Sequence, residues 1–483
     1  MNKRNRFGIR MLSLAAATVI LTIFGASVSF AQTGVVAPTA EEFGALKIAV
    51  DTSWVMLTGF LVFFMQCGFA MLEAGLVSHK GVVNALLENF IDAGLTALCW
   101  WFIGFGVAFG TSSGGLFGTS LFMPGMAEMG QTFGTLNISV LTMFFFQFAF
   151  AATASTITTG AMAERTDFVG DLIYSAVIAI AIYPVIAHWV WGGGWLATQG
   201  FYDFAGSTVV HTVGGVIALI GAILLGPRVG RVFGTPPRPH NLGLATIGTM
   251  ILWFGWYGFN PGSTLGAFGQ SGTIGIVTLN TTLAAGMGAM VTLLFVYFRS
   301  GKWDLAYCLN GSLAGLVGVT AGCAFVQPTG ALQIGLVAGI LVVLASDAVE
   351  RAKIDDAVGA FAVHGACGIM GTIAIGFLAD PTLTTFGLHA GKAGLLMGGG
   401  LDILITQVIG SLSTVVYVGV TSTIMFGALK AVNRLRVNAQ ADVVGIDVYE
   451  HGASVWPDVL PFPDDVITGD KNKGGVGALA VGD

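Results

Sequence analysis

Charge-free apolar runs of about 20 residues, the length that crosses about 30 Å of hydrocarbon, recur along the whole chain. Thr52 to Leu72 is the first. The others fall near 90–110, 137–163, 168–191, 204–226, 241–261, 272–298, 305–324, 332–351, 357–379 and 395–429. Pro239 to Phe298 holds no Asp, Glu, Lys or Arg over 60 residues, and Leu305 to Ser346 none over 42, so each stretch must contain two spans. The pattern predicts an all-α, polytopic membrane protein with eleven transmembrane helices. An odd count puts the two termini on opposite sides.

Composition agrees: of 483 residues, 54% are apolar and 10% charged, against about a quarter charged in soluble domains. A soluble enzyme, a nucleic-acid binder and a disordered scaffold are excluded. The 71 Gly fit helices that approach closely in a membrane. The five Cys (Cys67, Cys99, Cys308, Cys323 and Cys367) lie in apolar runs with no CxxC, and read as small core residues.

The first residues carry Lys3, Arg4, Arg6 and Arg10, then apolar Met11 to Phe24, then Ser29-Phe30-Ala31. That is the layout of a secretory signal peptide over 1–31, a first membrane helix being the alternative. Residues 32–50 then form an external N-terminal segment, 51–430 the membrane domain, and 431–483 a cytoplasmic tail, ordered in its first half. Of the 20 Lys and Arg, four lie in the leader; of the rest only Lys47 and Lys392 fall on the N-terminal side, and fourteen on the other. By the positive-inside rule the N-terminus is external and the C-terminus cytoplasmic, in the plasma membrane.

Polar residues inside a bilayer are costly and mark function. Two histidines stand out. His211 and His364 each follow a Val, and each has an Asp eight residues upstream, Asp203 and Asp356. Eight residues are about 12 Å of helix, which puts both histidines near the midplane, entering from opposite faces. Spans 1–5 and 6–10 then form two five-helix halves, inverted because five is odd, a plan that sets the working site between them. A lone membrane histidine usually bonds a neighbouring helix. Two at matched positions suggest imidazoles coupled by a shared hydrogen bond. Metal or haem ligation has only Cys367 as a third ligand, and zinc needs three or four; no metal or other cofactor is expected.

Aromatics gather on three further helices. Phe146 and Phe150 are four apart on one face; Trp191 closes His188-Trp-Val-Trp191; Phe259 and Ser263 are four apart in span 6. This places Phe146, Trp191 and Ser263 at similar external depth, with Phe150 and Phe259 one turn deeper. Interfacial packing explains Trp189 and Trp195. For Trp191, an aromatic face beside a hydroxyl suggests a small ammonium ion, above a dry constriction that a neutral amine crosses more cheaply than a cation.

At these residues the sequence resembles the ammonium transporter (Amt/Mep/Rh) family, in its bacterial Amt branch. The segments are Gly160-Ala-Met-Ala-Glu-Arg165, His188-Trp-Val-Trp-Gly-Gly-Gly-Trp195, Asp203 to His211, Gly255-Trp-Tyr-Gly-Phe-Asn-Pro-Gly-Ser263, Val363-His-Gly-Ala-Cys-Gly368 and Gly445-Ile-Asp-Val-Tyr-Glu-His-Gly452. The resemblance implies eleven helices, a homotrimer and a pore in each subunit. It implies that Phe146, Trp191 and Ser263 bind ammonium, or methylammonium, and that Phe150 and Phe259 gate. It implies His211 and His364 as the pore pair, and Asp203 as a support that does not touch the cation. A PII-type signalling protein is an implied partner at the cytoplasmic face. Gly359 departs from relatives with an acidic residue five before the second histidine, which leaves the chemistry of that mouth open. The expected function is an ammonium transporter that deprotonates the cation and passes ammonia. A gas channel, which would not need the cation site, and an ammonium sensor are the rivals; a membrane enzyme lacks a nucleophile–base–metal set.

Overall fold

In a computed structural model of the chain, residues 38–235 and 237–456 are described. The leader 1–31, the start of the N-terminal segment and the end of the tail lie outside the described residues. Two compact units divide the chain, residues 1–48 and 49–483. In the first, a capping box begins a helix. The Thr39 hydroxyl accepts the Glu42 N–H at 3.2 Å, and the Glu42 carboxylate accepts the Thr39 N–H at 2.8 Å.

The helices are α1 (Ala40–Leu76), α2 (Val82–Phe109), α3 (Val140–Met162), α4 (Phe168–Val177, Ile178–Ile182 and Tyr183–Val190), α5 (Ser207–Thr212 and Val213–Leu225) and α6 (Leu242–Gly262). They continue with α7 (Ser271–Ser300), α8 (Leu305–Thr320), α9 (Pro328–Arg351), α10 (Phe361–Ala366 and Cys367–Leu378) and α11 (Asp402–Ala431), and the tail adds α12 (Ala439–Val444) and α13 (Ile446–His451). Among the described residues, ten helices are long and apolar enough to span a membrane, and α8, 16 residues long, is the eleventh. The chain is a multi-pass membrane protein of the expected class.

Three boundaries differ from the hydropathy reading. Helix α2 starts at Val82 rather than near 90, because Glu88 and Asp92 are buried inside it. Helix α11 starts at Asp402 rather than 395, since Gly398 takes a φ of +86° that breaks the apolar run. Helix α8 stops at Thr320, where side chains take over its end. Asn280 donates to the carbonyls of Cys323 and Val326 at 2.9 and 2.8 Å, and the Ala321 N–H bonds the Ser207 hydroxyl at 2.7 Å. Small residues set the packing of α7 on α8: a Cβ at Gly315 would lie 2.1 Å from the Ala284 carbonyl oxygen.

The tail folds back on the α1–α2 turn. Helix α2 begins at Gly81, which has no side chain to cap it, and Asp447 supplies the cap from the tail. Its carboxylate accepts the N–H groups of Val83 and Asn84 at 2.9 and 2.8 Å. Burial pushes the Asp447 carboxyl up to about 6 while those N–H donors pull it down. His451 bonds the Asn84 side chain at 2.8 Å and Lys80 donates to the Val443 carbonyl at 2.9 Å. Beside it, Asp355 accepts from Arg228 and Arg231, and Arg228 also pairs with Glu164. The Arg228 guanidinium holds the Asp355 carboxyl well below the usual carboxylate range.

Candidate functional site

Helices α5 and α10 begin alike. Each opens with a π turn, Ser207–Thr212 and Phe361–Ala366, and each π turn carries one histidine. Wide turns of this kind are rare and cluster at functional sites. The aspartate eight residues upstream caps each one. The Asp203 carboxylate accepts the N–H groups of Gly206, Thr208 and Val209 at 2.8 to 2.9 Å. Asp356 accepts those of Gly359, Ala360 and Phe361 at 2.9 to 3.1 Å. Gly206 and Gly359, each five residues before its histidine, hold φ values of +116° and +83°, where a side chain would be strained. Gly359 is therefore the backbone counterpart of Gly206.

The π turn of α10 meets the first α-helical turn of α5 at backbone contact. A Cβ at Gly215 would lie 2.2 Å from the Gly365 nitrogen. This approach brings the imidazoles together, with Nδ1 of His364 at 3.1 Å from Nδ1 of His211 and ring centroids 5.2 Å apart. One Nδ1 donates and the other accepts, so the pair is left with one Nε2–H and one bare Nε2. His211 is wholly buried and its Nε2 has no hydrogen-bond partner in the protein.

The ring of His211 stacks on Trp256 and Phe259, at 5.1 and 5.4 Å. Trp256 is fixed in turn by its indole N–H to the Thr320 hydroxyl at 2.9 Å. Phe259 stacks on Phe150 at 4.1 Å, and Phe150 lies 4.8 Å from Phe146 and edge-on to Trp191 at 6.0 Å. Beyond the phenylalanine stack opens a cavity of about 830 Å³ lined by Phe146, Phe150, Trp191 and Ser263. The Trp191 indole N–H donates to the main-chain carbonyl of Asp203 at 2.8 Å, and the Ser263 hydroxyl to that of Phe259 at 2.8 Å. On the other side of the pair, a void of about 20 Å³ touches His364, Phe69 and Glu73, the room of one water.

All eight residues singled out from sequence thus fall in one file. The cavity comes first, then the Phe150–Phe259 stack, then His211 and His364, with Asp203 beneath Trp191. Among the described residues no His, Cys, Asp and Glu converge as a metal site. Three residues escaped the sequence reading. Trp256, one turn before Phe259, was visible in the aromatic spacing. Gln147 lines the cavity, with its side-chain oxygen unpartnered. His188 holds the loop of Trp191 through Ser112 at 2.8 Å and the Ala108 carbonyl at 2.9 Å.

A family model described as the Ammonium Transporter Family matches residues 53–456. The chain is 39% identical over 447 residues to the ammonium transporter Amt2 of Archaeoglobus fulgidus, covering 89% of this chain and 93% of that one. It is 40% identical to a putative ammonium transporter of Synechocystis, over 92% and 98% of the two chains. Among solved structures, one titled a sensor Amt protein superposes with a TM-score of 0.77 at 36% identity, over 84% of this chain and 99% of that one. Mep2 of Candida albicans superposes with a TM-score of 0.76 at 28% identity, over 81% and 86%.

Proposed function

Since the chain belongs to the Ammonium Transporter Family, whose members are transporters and not enzymes, we propose that it takes ammonium from outside the cell, strips one proton, and conducts ammonia past His211 and His364 into the cytoplasm. The file of cavity, phenylalanine stack and bonded histidines is the observation that carries this reading. Trp191 offers its aromatic face to the cation, with Phe146 and the Ser263 oxygen beside it. An ion entering the stacked Phe150 and Phe259 would lose its water, at a cost far beyond what two aromatic rings return. Ammonia pays no such cost. Beyond the stack, one Nε2–H can donate to ammonia and the bare Nε2 can accept from it, so the pair guides the neutral molecule in single file. Asp203 works at a distance: it caps α5 and holds the indole of Trp191.

The distribution of Lys and Arg supports an external cavity and a cytoplasmic tail in the plasma membrane, and the family resemblance supports a homotrimer with one pore per subunit. The same resemblance supports docking of a PII-type protein at the cytoplasmic face. The test is the purified full chain in liposomes under an inward ammonium gradient. Saturable ammonium or methylammonium entry is expected; its absence overturns the reading. A second reading, a sensor that reports ammonium through its tail, gains weight from the similar structure titled a sensor Amt protein. Binding without entry in the same liposomes would favour it.

Two outcomes follow for single changes. Trp191→Leu removes a face that contributes roughly 0.5–2 kcal/mol to a partly desolvated cation, so half-saturation for methylammonium should rise about 2- to 30-fold. An unchanged half-saturation at normal expression removes Trp191 from the site. Truncation after Arg436 uncaps α2 by removing Asp447, at a cost of about 1 kcal/mol per lost cap. The truncated protein should stay in the membrane and transport several-fold more slowly; full activity would leave the tail only a docking role.

A further inference from the structure

Away from the pore, a furrow of about 480 Å³ runs between α4 and α11. The two helices are pinned at its ends and stand apart between them. At one end the Tyr417 hydroxyl donates to the Ala181 carbonyl at 3.0 Å. At the other, on the side of the tail, main chain meets main chain. A Cβ at Gly170 would lie 1.8 Å from the Arg434 carbonyl oxygen, and the Asp167 N–H donates to the Leu435 carbonyl at 3.3 Å. Inside the bundle the buried rings of Tyr174 and Phe426 meet edge-on at 5.5 Å, while Ile173, Ile424 and Val432 at the furrow are exposed, so it opens outward. Its walls stay apart for two reasons. Ala181, Thr421 and Ala428 are small where they line it. The segment Ile178–Ile182 of α4 is also a π turn, a local widening that clusters at functional sites.

Shape limits what fills the furrow. From Tyr417 to Val432 is about 22 Å of helix, and a furrow of about 480 Å³ spread over that length is only about 5 Å across. A helix about 10 Å wide cannot enter. A single file of methylenes can, since packed carbons lie about 4 Å apart. The length also covers the roughly 15 Å that one leaflet gives to the hydrocarbon core. Thr421 donates its hydroxyl to the Tyr417 carbonyl at 2.7 Å, and Tyr417 donates to Ala181, so neither leaves a donor for water. Left empty, the furrow would forfeit its dispersion contacts.

The tail end of the furrow carries charge. Arg434 follows Val432 by two residues, its side chain is 52% exposed, and it meets Asp167 only at 3.4 Å. A guanidinium fork of five N–H donors held this loosely has donors left for a phosphate. We propose that the furrow is a resident phospholipid site. One acyl chain lies between α4 and α11, the phosphodiester bonds Arg434, and the second chain stays in the bilayer.

The test takes the purified full chain, stripped of lipid in detergent, and adds phosphatidylcholine, oleate or inorganic phosphate. Melting temperature and phospholipids retained per subunit, by native mass spectrometry, are read together. Phosphatidylcholine at 100 times its dissociation constant should raise the melting temperature by several degrees. Oleate or phosphate alone should raise it less than half as much. The double variant Ala181→Leu, Ala428→Leu fills the furrow at two exposed positions. It should lose the lipid response and retain one phospholipid fewer per subunit. Arg434→Gln should weaken phosphatidylcholine binding at least tenfold and leave the oleate response unchanged. A full lipid response in the double variant overturns the site. An oleate response equal to that of phosphatidylcholine, or unchanged binding in Arg434→Gln, overturns the phosphate contact and with it the phospholipid. A reconstruction of the unmutated protein in lipid nanodiscs covers the case in which the double variant fails to fold. Chain-like density between α4 and α11 is expected there, and its absence overturns the site.

Discussion

Replacing His211 with Asp, or His364 with Glu, opens the pore to potassium. Potassium resembles ammonium in size but has no proton to shed, so in the unaltered protein it must cross the Phe150–Phe259 stack and the imidazole pair as a bare ion. Neutral imidazoles give it nothing to balance its charge, and the described residues place no carboxylate in contact with the pair. A carboxylate about 4 Å from the ion supplies about 4 kcal/mol at an effective dielectric of 20, which is roughly three powers of ten in occupancy. Potassium-driven current, absent before, should reach the same order as the ammonium current in His211→Asp and His364→Glu. If both variants exclude potassium and conduct ammonium normally, the histidines are structural and the proposed mechanism is wrong.

Asp203→Ala should prevent a stable fold. Three main-chain N–H groups at the head of α5 lose their acceptor, and each buried orphan costs about 1–3 kcal/mol. A total on the order of 6 kcal/mol rivals the whole stability of many proteins. Asp203→Asn keeps one acceptor oxygen, so it should accumulate in the membrane with a lowered melting temperature. Asp356→Ala should fail in the same way, because Asp356 caps α10 by the same device. Normal accumulation and normal thermal stability of both alanine variants would show that these caps are dispensable.

Most of the bundle was legible because apolar length is a physical requirement of the bilayer, and spans such as 241–261 and 272–298 lie within two residues of α6 and α7. The filter that found them also hid something. Treating charge as the end of a span moved the start of α2 past Glu88, although the four-residue spacing of Asn84, Glu88 and Asp92 marks one helix face. The eight candidate residues came together because spacing fixes helix faces and inverted halves fix depth. The π turns were invisible, since one extra residue per turn leaves no mark in composition. Gly359 looked like a departure only beside other chains; beside Gly206, five residues before its own histidine, it is the expected residue.

The contact of Gly215 with Gly365 has a consequence for anyone who would redesign this pore. The gap between the two functional side chains is gauged by main chain, not by the side chains themselves. Whatever pair of groups is installed at 211 and 364 hangs from the same two main-chain points, so groups as long as imidazole are forced to interact. Chemistry at those two positions can thus be exchanged freely while the glycines stand. Enlarging either glycine would do the reverse, leaving both imidazoles intact but turning one coupled unit into two independent bases.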